Sequence, residues 1–397
     1  MELQNSCAMM IDRNHQIITT LGIGGAGEVY SLKNVKNNTI YAAKFSRKDL
    51  KVNQAKKLML LKRERDTMQE LHDHPNILSS YHLYSKRKDI PQNPAFEISG
   101  YHIPSDYYDP DVSKQSFDSH LKTSPFHLIE YCENGSFITY MKNQKVLNES
   151  IVTFYTEQLI SAVEYIHYKG YAHLDIKLDN ILLDDYFNMR LSDFGSALKV
   201  EDDPITELRR GTPKYMAPEV LNLQPGETFD ALKADMYSMG VCIYLMLFKR
   251  FPVYKEANYP VTNDLFDNPD VLESWPFDCD EALWTGLSQE LKRIVIALLN
   301  RNPFQRPSSQ QLVQSFLLPP INESIEEIVF EEMQNRRSFY EQVKHAETKI
   351  EQPVEQPIIQ PVVCTTQVIF LGNPETKIKG SMIKSGSSTN VSNQSWN

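Results

Sequence analysis

An excess of positive charge is missing from this sequence. Its 397 residues carry 41 Lys and Arg against 51 Asp and Glu, a formal net charge of −10. That balance argues against non-specific nucleic-acid binding, which needs a basic surface. Cysteine is scarce as well. Cys7, Cys132, Cys242, Cys279 and Cys364 are odd in number, scattered and without paired spacing. Neither a disulfide framework nor a cysteine-type zinc site is expected, and a reducing compartment fits best. Long hydrophobic runs are also absent. The most apolar stretch, 241–248, falls far short of the roughly 20 residues of a bilayer span. The opening Met1-Glu2-Leu3 lacks the basic and apolar regions of a signal peptide. Glu2 stands where myristoylation needs glycine. These features point to the cytoplasm with no membrane partner, and leave nuclear entry open. What is present is ordinary globular material, 41% hydrophobic and 23% charged, enough for a large core.

Strand-like alternation marks 16–21, 28–32 and 40–45, with a glycine-rich turn after the first and Asn37-Asn38 before the third. A charged helix is expected over 54–72, ended by His74-Pro75. Two more strands are expected at 77–84 and 126–131. Between them, 85–124 is rich in Tyr, Ser, Asp and Pro and has no apolar period. Beyond 150 the texture is helical: Ile151, Tyr155, Leu159, Ala162 and Ile166 share one helix face. Further helices are expected at 231–248, 287–300 and 308–316. A small sheet-rich part followed by a larger helical part predicts two lobes. After Pro319-Pro320, residues 326–349 suit an acidic helix with Ile325, Ile328, Met333 and Tyr340 on one face. Proline at every fourth residue of 351–361 suits an extended linker, and the Ser- and Asn-rich end suits disorder.

Gly22-Ile23-Gly24-Gly25-Ala26-Gly27 has glycines at the spacing that lets backbone N–H groups approach a phosphate. A dinucleotide motif shares that spacing but opens a helix, whereas here Val29-Tyr30 continues as a strand. Taken alone, the segment reads equally as a flexible hairpin. Lys44 lies near the end of an apolar strand, and a buried ammonium needs a counter-charge, for which Glu64 is the candidate. Otherwise it is a solvated surface lysine. His173-Leu174-Asp175-Ile176-Lys177-Leu178-Asp179-Asn180 packs a carboxylate, a lysine and an amide into a short loop. Asp175 could accept a hydroxyl proton, Lys177 could neutralise a transferring phosphoryl group, and Asn180 could ligate a divalent metal. The plainer alternative is a polar loop. Asp193-Phe194-Gly195 offers a second metal carboxylate beside a flexible joint, though the tripeptide alone is common. Gly211-Thr212-Pro213 runs on to Ala217-Pro218-Glu219. Arg306 is a candidate partner for Glu219, and Asp235 a candidate acceptor for loop backbone N–H groups.

In joint order and spacing these motifs resemble the eukaryotic protein kinase domain, over 17 to about 318. The resemblance implies an α+β bilobal fold, with a small β-rich N-lobe (about 17–131, with an insertion at 85–124) and a larger α-helical C-lobe (about 132–318). A leader, 1–16, precedes it and a tail, 319–397, partly helical and then disordered, follows. It implies transfer of the γ-phosphoryl group of ATP, with Mg²⁺, to protein hydroxyls. Lys44 and Glu64 would form the ordering ion pair, and Asp175 would be the base. Asn180 and Asp193 would hold the metal. Adenine would lie between Val29, Ala42 and Leu182, its polar edge against the backbone of Glu130 and Cys132. Ile129 would limit access behind it. Lys177 and Thr212 match the serine/threonine branch, and the loop is similar to the calmodulin-dependent-kinase-like group. The competing class is a pseudokinase scaffold; its mark is loss of the lysine or the aspartates, and Lys44, Asp175, Asn180 and Asp193 are all present. A small-molecule phosphotransferase is disfavoured by the segment from Thr212 to Glu219.

Three departures from the family stand out. Leu174 replaces an arginine that usually binds the phosphorylated activation segment, so activity is expected not to need that phosphate. The insertion 85–124 either docks a partner or is simply tolerated, the preferred reading, since loop length costs little. Tyr237 replaces a tryptophan. The tail could dock, recruit substrates or self-inhibit, and a solvated tail is preferred. Glu133 and Asp179 suggest a preference for basic residues in the substrate, which Ser136 weakens.

Overall fold

The computed structural model describes residues 10–24, 27–46, 54–85, 121, 124–200, 203–255, 277–315, 318 and 324–350. The N-lobe is a five-stranded antiparallel sheet of β1 (His15–Ile23), β2 (Glu28–Asn34), β3 (Ile40–Phe45), β4 (Ser80–Tyr84) and β5 (Phe126–Ile129), in the order β1-β2-β3-β5-β4. Asn38 turns the chain between β2 and β3 at φ 61°, a left-handed conformation that asparagine tolerates. The strand expected at 77–84 forms only from Ser80. Upstream, Ile77 bridges Leu191 and Leu78 donates to the Leu191 carbonyl, so this stretch joins the C-lobe instead. Helix α1 (Gln54–Glu70) packs behind β4 and β5. The insertion's two ends are anchored: Ser85, Leu121 and Ser124 are buried, and Leu121 joins the small-lobe cluster. Its interior, 86–120, lies outside the described residues. Residues 10–16 are folded onto the sheet edge, with Ile11 and His15 buried and Asp12 accepting both the N–H and the ring nitrogen of His15.

The C-lobe adds α2 (Ile138–Met141), α3 (Glu149–Tyr168), α4 (Pro218–Leu221), α5 (Ala231–Phe248), α6 (Glu281–Gly286), α7 (Gln289–Leu298) and α8 (Ser309–Ser315). Short two-stranded ladders frame its cleft-facing loops: β6 (Tyr171–Ala172) with β9 (Leu198–Lys199), β7 (Ile181–Leu183) with β8 (Met189–Leu191), and β10 (Ile205–Thr206) with β11 (Phe229–Asp230). Side-chain oxygens start the helices. Asn148 caps α3, Asp230 caps α5, Asp280 caps α6 and Ser288 caps α7. Ser288 therefore begins the helix that sequence periodicity starts at 287. Helix α5 packs on both α3 and α7, α3 also packs on α8, and Gly240 admits α7 so closely that a Cβ there would lie 2.7 Å from the Leu298 Cβ. Helix α5 is the one described helix long and apolar enough to cross a membrane, and 89% of it is buried in the lobe. One apolar cluster runs from Ala42, Met68 and Ile77 into the helices and ties the lobes together.

The compact unit extends to Thr348. Helix α9 (Ile325–Ile350) packs against the C-lobe, which differs from the solvated tail expected from composition. Its buried face is Ile325, Val329, Met333 and Arg336, whereas Ile328 is exposed. The expected face shares Ile325 and Met333 with it, but took in Ile328 and Tyr340 and left out Val329 and Arg336. Residues 351–397, with the proline-spaced and Ser-rich segments, lie outside the described residues.

Candidate functional site

Gly24 N–H donates to the Gly27 carbonyl at 2.9 Å and closes the turn between β1 and β2. Its tip, Gly25 and Ala26, lies outside the described residues. The glycines differ in what they serve. A Cβ on Gly27 would sit 2.3 Å from the Phe45 carbonyl oxygen, so strand packing demands glycine there. Gly22 and Gly24 face open space, and so does the exposed Ile23 beside them. Lys44, on β3, reaches Glu64 Oε1 of α1 at 2.7 Å and Asp193 Oδ1 at 2.8 Å. All three sit deep between the lobes. Burial would lower the lysine's pKa, but the two carboxylates outweigh it and hold the ammonium above its usual range. For Asp193 burial pushes upward, and the Lys44 charge and hydrogen bond keep it below the usual carboxylate range.

Asp175 and its neighbours form a second cluster. Lys177 Nζ lies 2.8 Å from Asp175 Oδ2 and 2.8 Å from Thr212 Oγ1, and the Thr212 hydroxyl donates to Asp175 Oδ1 at 2.8 Å. Asn180 Nδ2 donates to the Asp175 carbonyl at 2.8 Å. The loop is held from below by Asp235, wholly buried, whose carboxylate accepts the N–H of His173 (2.6 Å) and of Leu174 (2.7 Å) and faces His167 at 3.1 Å. This over-determination holds Leu174 at φ 61°, an unfavourable conformation for leucine. Gly211 makes room for it: a Cβ there would come within 2.2 Å of the Leu174 carbonyl oxygen. The Leu174 side chain itself is buried.

The donor set suits a hard divalent cation. Asn180 spends its amide nitrogen on Asp175, and Asp193 spends Oδ1 on Lys44 and the Gly195 N–H. Asn180 Oδ1 and Asp193 Oδ2 are left without a protein donor among the described residues. Ser192 donates twice to the Asn180 carbonyl, which seats Asn180 next to Asp193. Oxygen donors of this kind are what magnesium takes. The cleft above also suits a flat heterocycle. Ala42, Ile129 and Cys132 belong to one buried cluster, with Val29 and Leu182 packed against it from opposite lobes. Glu130 N–H is used by the Ser79 carbonyl at 3.0 Å, while the Glu130 carbonyl and the Cys132 N–H have no partner among the described residues. Burial pushes the Cys132 thiol well up, so it stays protonated.

Glu219 and Arg306 pair at 2.8 Å, with the guanidinium wholly buried and 5.0 Å from the Tyr237 ring centroid. Sequence reasoning left several groups without a role. Thr212 was noted only as a residue type, yet it bridges Asp175 and Lys177. Arg63 donates to the Ala197 carbonyl at 2.8 Å, and Arg210 to the Ser196 carbonyl at 3.1 Å. Glu133, expected near the substrate path, is exposed and lies 3.4 Å from Arg337 of α9. Asp179 remains exposed. The long separation of each pair along the chain hides these contacts from periodicity.

The family model described as protein kinase domain matches residues 15–318. The chain is 36% identical over 196 residues to CBL-interacting serine/threonine-protein kinase 3 of Arabidopsis thaliana, covering 49% of this chain and 41% of that protein. It is 27% identical over 306 residues to serine/threonine-protein kinase PLK2 of Mus musculus, covering 74% and 36%. It is 26% identical over 307 residues to CBL-interacting protein kinase 10 of Oryza sativa subsp. japonica, covering 76% and 56%. The aligned part is thus less than two thirds of each of these relatives.

Proposed function

Because the chain belongs to the protein kinase domain family, we propose that it is an active serine/threonine protein kinase, moving the γ-phosphoryl group of ATP to Ser and Thr hydroxyls of proteins. The observation that carries this is Asp175, held by Lys177 and Asn180 of its own loop and by Thr212 of the later Gly211-Thr212-Pro213 segment. A carboxylate fixed from three sides has one task left, which is to orient an incoming hydroxyl and take its proton. Lys177, beside it, would offset charge on the phosphoryl group in transfer. Lys44, its direction fixed by Glu64, would hold the α- and β-phosphates, and the N–H groups of 22–27 would cover them. Magnesium, when bound, supplies charge between phosphate oxygens, and Asn180 and Asp193 are the residues that would hold it. Val29, Ala42 and Leu182 would enclose adenine, with the Glu130 carbonyl and Cys132 N–H on its polar edge.

Serine/threonine choice is supported by Lys177 and Thr212 acting together at Asp175 and by the names of the relatives. Independence from activation-segment phosphorylation is supported by Leu174, whose buried apolar side chain has no donor for a phosphate. Charge of −10 and five scattered cysteines without paired spacing support a cytoplasmic setting without nucleic-acid or membrane partners. A docking partner, if the protein has one, has the insertion 85–124 or the tail 319–397 to bind, with a merely tolerated insertion the preferred reading.

The test is transfer of labelled phosphate from ATP to a generic protein substrate. Wild type should exceed Asp175→Asn and Lys44→Met by roughly a hundredfold or more, the scale of an acid–base contribution. Phosphoamino-acid analysis should return phosphoserine and phosphothreonine. Wild type no better than either variant, with nucleotide still bound, would instead make the protein a scaffold.

A further inference from the structure

We propose that helix α9, which lies beyond the family match at 15–318, positions the nucleotide edge of the cleft through its Arg337. The inference deepens the kinase reading and rests on it for the identity of that edge. The helix is fastened first by apolar burial of Ile325, Val329 and Met333, with the Phe330 ring 5.6 Å from that of Phe187. Arg336 is buried too. It donates to the carbonyls of Tyr140 (3.2 Å), Lys145 (3.0 Å) and Val146 (3.4 Å), and pairs with Glu332 at 2.7 Å. These carbonyls belong to α2 and the loop after it, where helix ends leave acceptors unfilled.

With Arg336 locked, its neighbour is aimed at the segment that joins the lobes. Arg337 Nη1 donates to Asn134 Oδ1 at 2.6 Å, and Asn134, itself buried, donates to the Asp184 carbonyl at 2.6 Å. The Asp184 carboxylate accepts from Arg190 at 3.1 Å, and Arg190 forms an ion pair with Glu130 Oε1 at 3.4 Å. Glu130 Oε2 finally accepts the Ser79 N–H at 2.9 Å. A polar network therefore runs from α9 to Glu130, its last link an ion pair in which Arg190 Nε makes no hydrogen bond, and the Glu130 carbonyl has no partner among the described residues. Such a network sets where that carbonyl and the Cys132 N–H stand. Among the described residues, no hydrogen bond or ion pair of α9 reaches Lys44, Asp175, Lys177, Asn180 or Asp193. The helix braces the cleft from outside instead of filling it.

The experiment is titration of the full chain with a fluorescent ATP analogue, beside steady-state kinetics. Arg337→Ala should weaken nucleotide roughly three- to tenfold, the loss of one charge-assisted hydrogen bond at a partly exposed site, and raise KM for ATP by a similar factor with little change in kcat. Arg337→Lys should recover most of the loss. Asn134→Ala should add little on top of Arg337→Ala, because both act through one network. Equal affinity for wild type and Arg337→Ala, or tighter binding by the variant, overturns the proposal, the second outcome marking an inhibitory helix. Wild type that binds no nucleotide removes the kinase reading itself, so the two failures are told apart.

Discussion

His127 occupies the middle of the N-lobe sheet, opposite Lys44, and is fully buried. One ring nitrogen meets Ser80 Oγ at 2.8 Å and the other, Nδ1, has no hydrogen-bond partner among the described residues. Burial, with the Lys44 and Arg65 charges, pushes its pKa from 6.5 to about 3. The sign follows directly. Between these values the unfolded chain binds a proton that the folded chain refuses, so this histidine's contribution is complete above pH 6.5 and is lost as pH falls. The slope is about 1.4 kcal/mol per pH unit once the unfolded histidine is charged. Chemical denaturation between pH 6 and pH 5 should show a steeper loss for wild type than for His127→Phe, by about 1 kcal/mol per unit. Equal slopes would show that the histidine titrates alike in both states. No sequence pattern announces such a residue: a histidine in a strand reads as half exposed, whereas here complete burial, with Lys44 and Arg65 nearby, makes its charge costly.

At the scale of elements, α1 holds two neighbours at once. Glu64 takes Lys44 and Arg63 takes the Ala197 carbonyl, so rotating the helix would break both. Arg210, from the far end of the activation segment, binds the Ser196 carbonyl beside it. Among the described residues neither arginine has a carboxylate partner, and burial with the nearby Arg63 charge lowers the pKa of Arg210. The far end of the segment is thus tied to its own start through main-chain acceptors. Phosphatase-treated and untreated enzyme should have equal kcat, whereas Arg210→Ala should lower kcat roughly threefold to tenfold, a charged hydrogen bond's worth. A large loss on dephosphorylation would mean that these arginines serve a phosphate after all. The elements themselves were readable where periodicity is strong: β1 to β3, α1, α3 and α5 fall within a few residues of expectation. The cluster at Asp175 was readable because its motif is compact. The arginine contacts were not, since an acceptor carbonyl leaves no trace in residue type.

For the whole molecule, the sequence divides into a catalytic region and a tail near Pro320, whereas the folded unit divides near Thr348. The discrepancy is physical. A helix of 26 residues with a few apolar positions looks marginal alone, and it becomes stable only by covering the C-lobe around Phe187. Burying Ile325, Val329 and Met333 contributes about 1.5–3 kcal/mol each before the entropy of ordering the helix is subtracted. Two truncations separate the boundaries. A chain ending at Thr348 should melt within about 1 °C of the full chain, since the compact unit is kept whole. A chain ending at Pro320 loses those three side chains and the bonds of Arg336, and leaves the carbonyls of Tyr140 and Lys145 without their donor. A net loss of about 2–3 kcal/mol should lower its melting temperature by roughly 3–5 °C. Thermal unfolding followed by circular dichroism reads both. Equal melting of the two truncated chains would mean that α9 contributes nothing to the catalytic unit, and would return the boundary to Pro320.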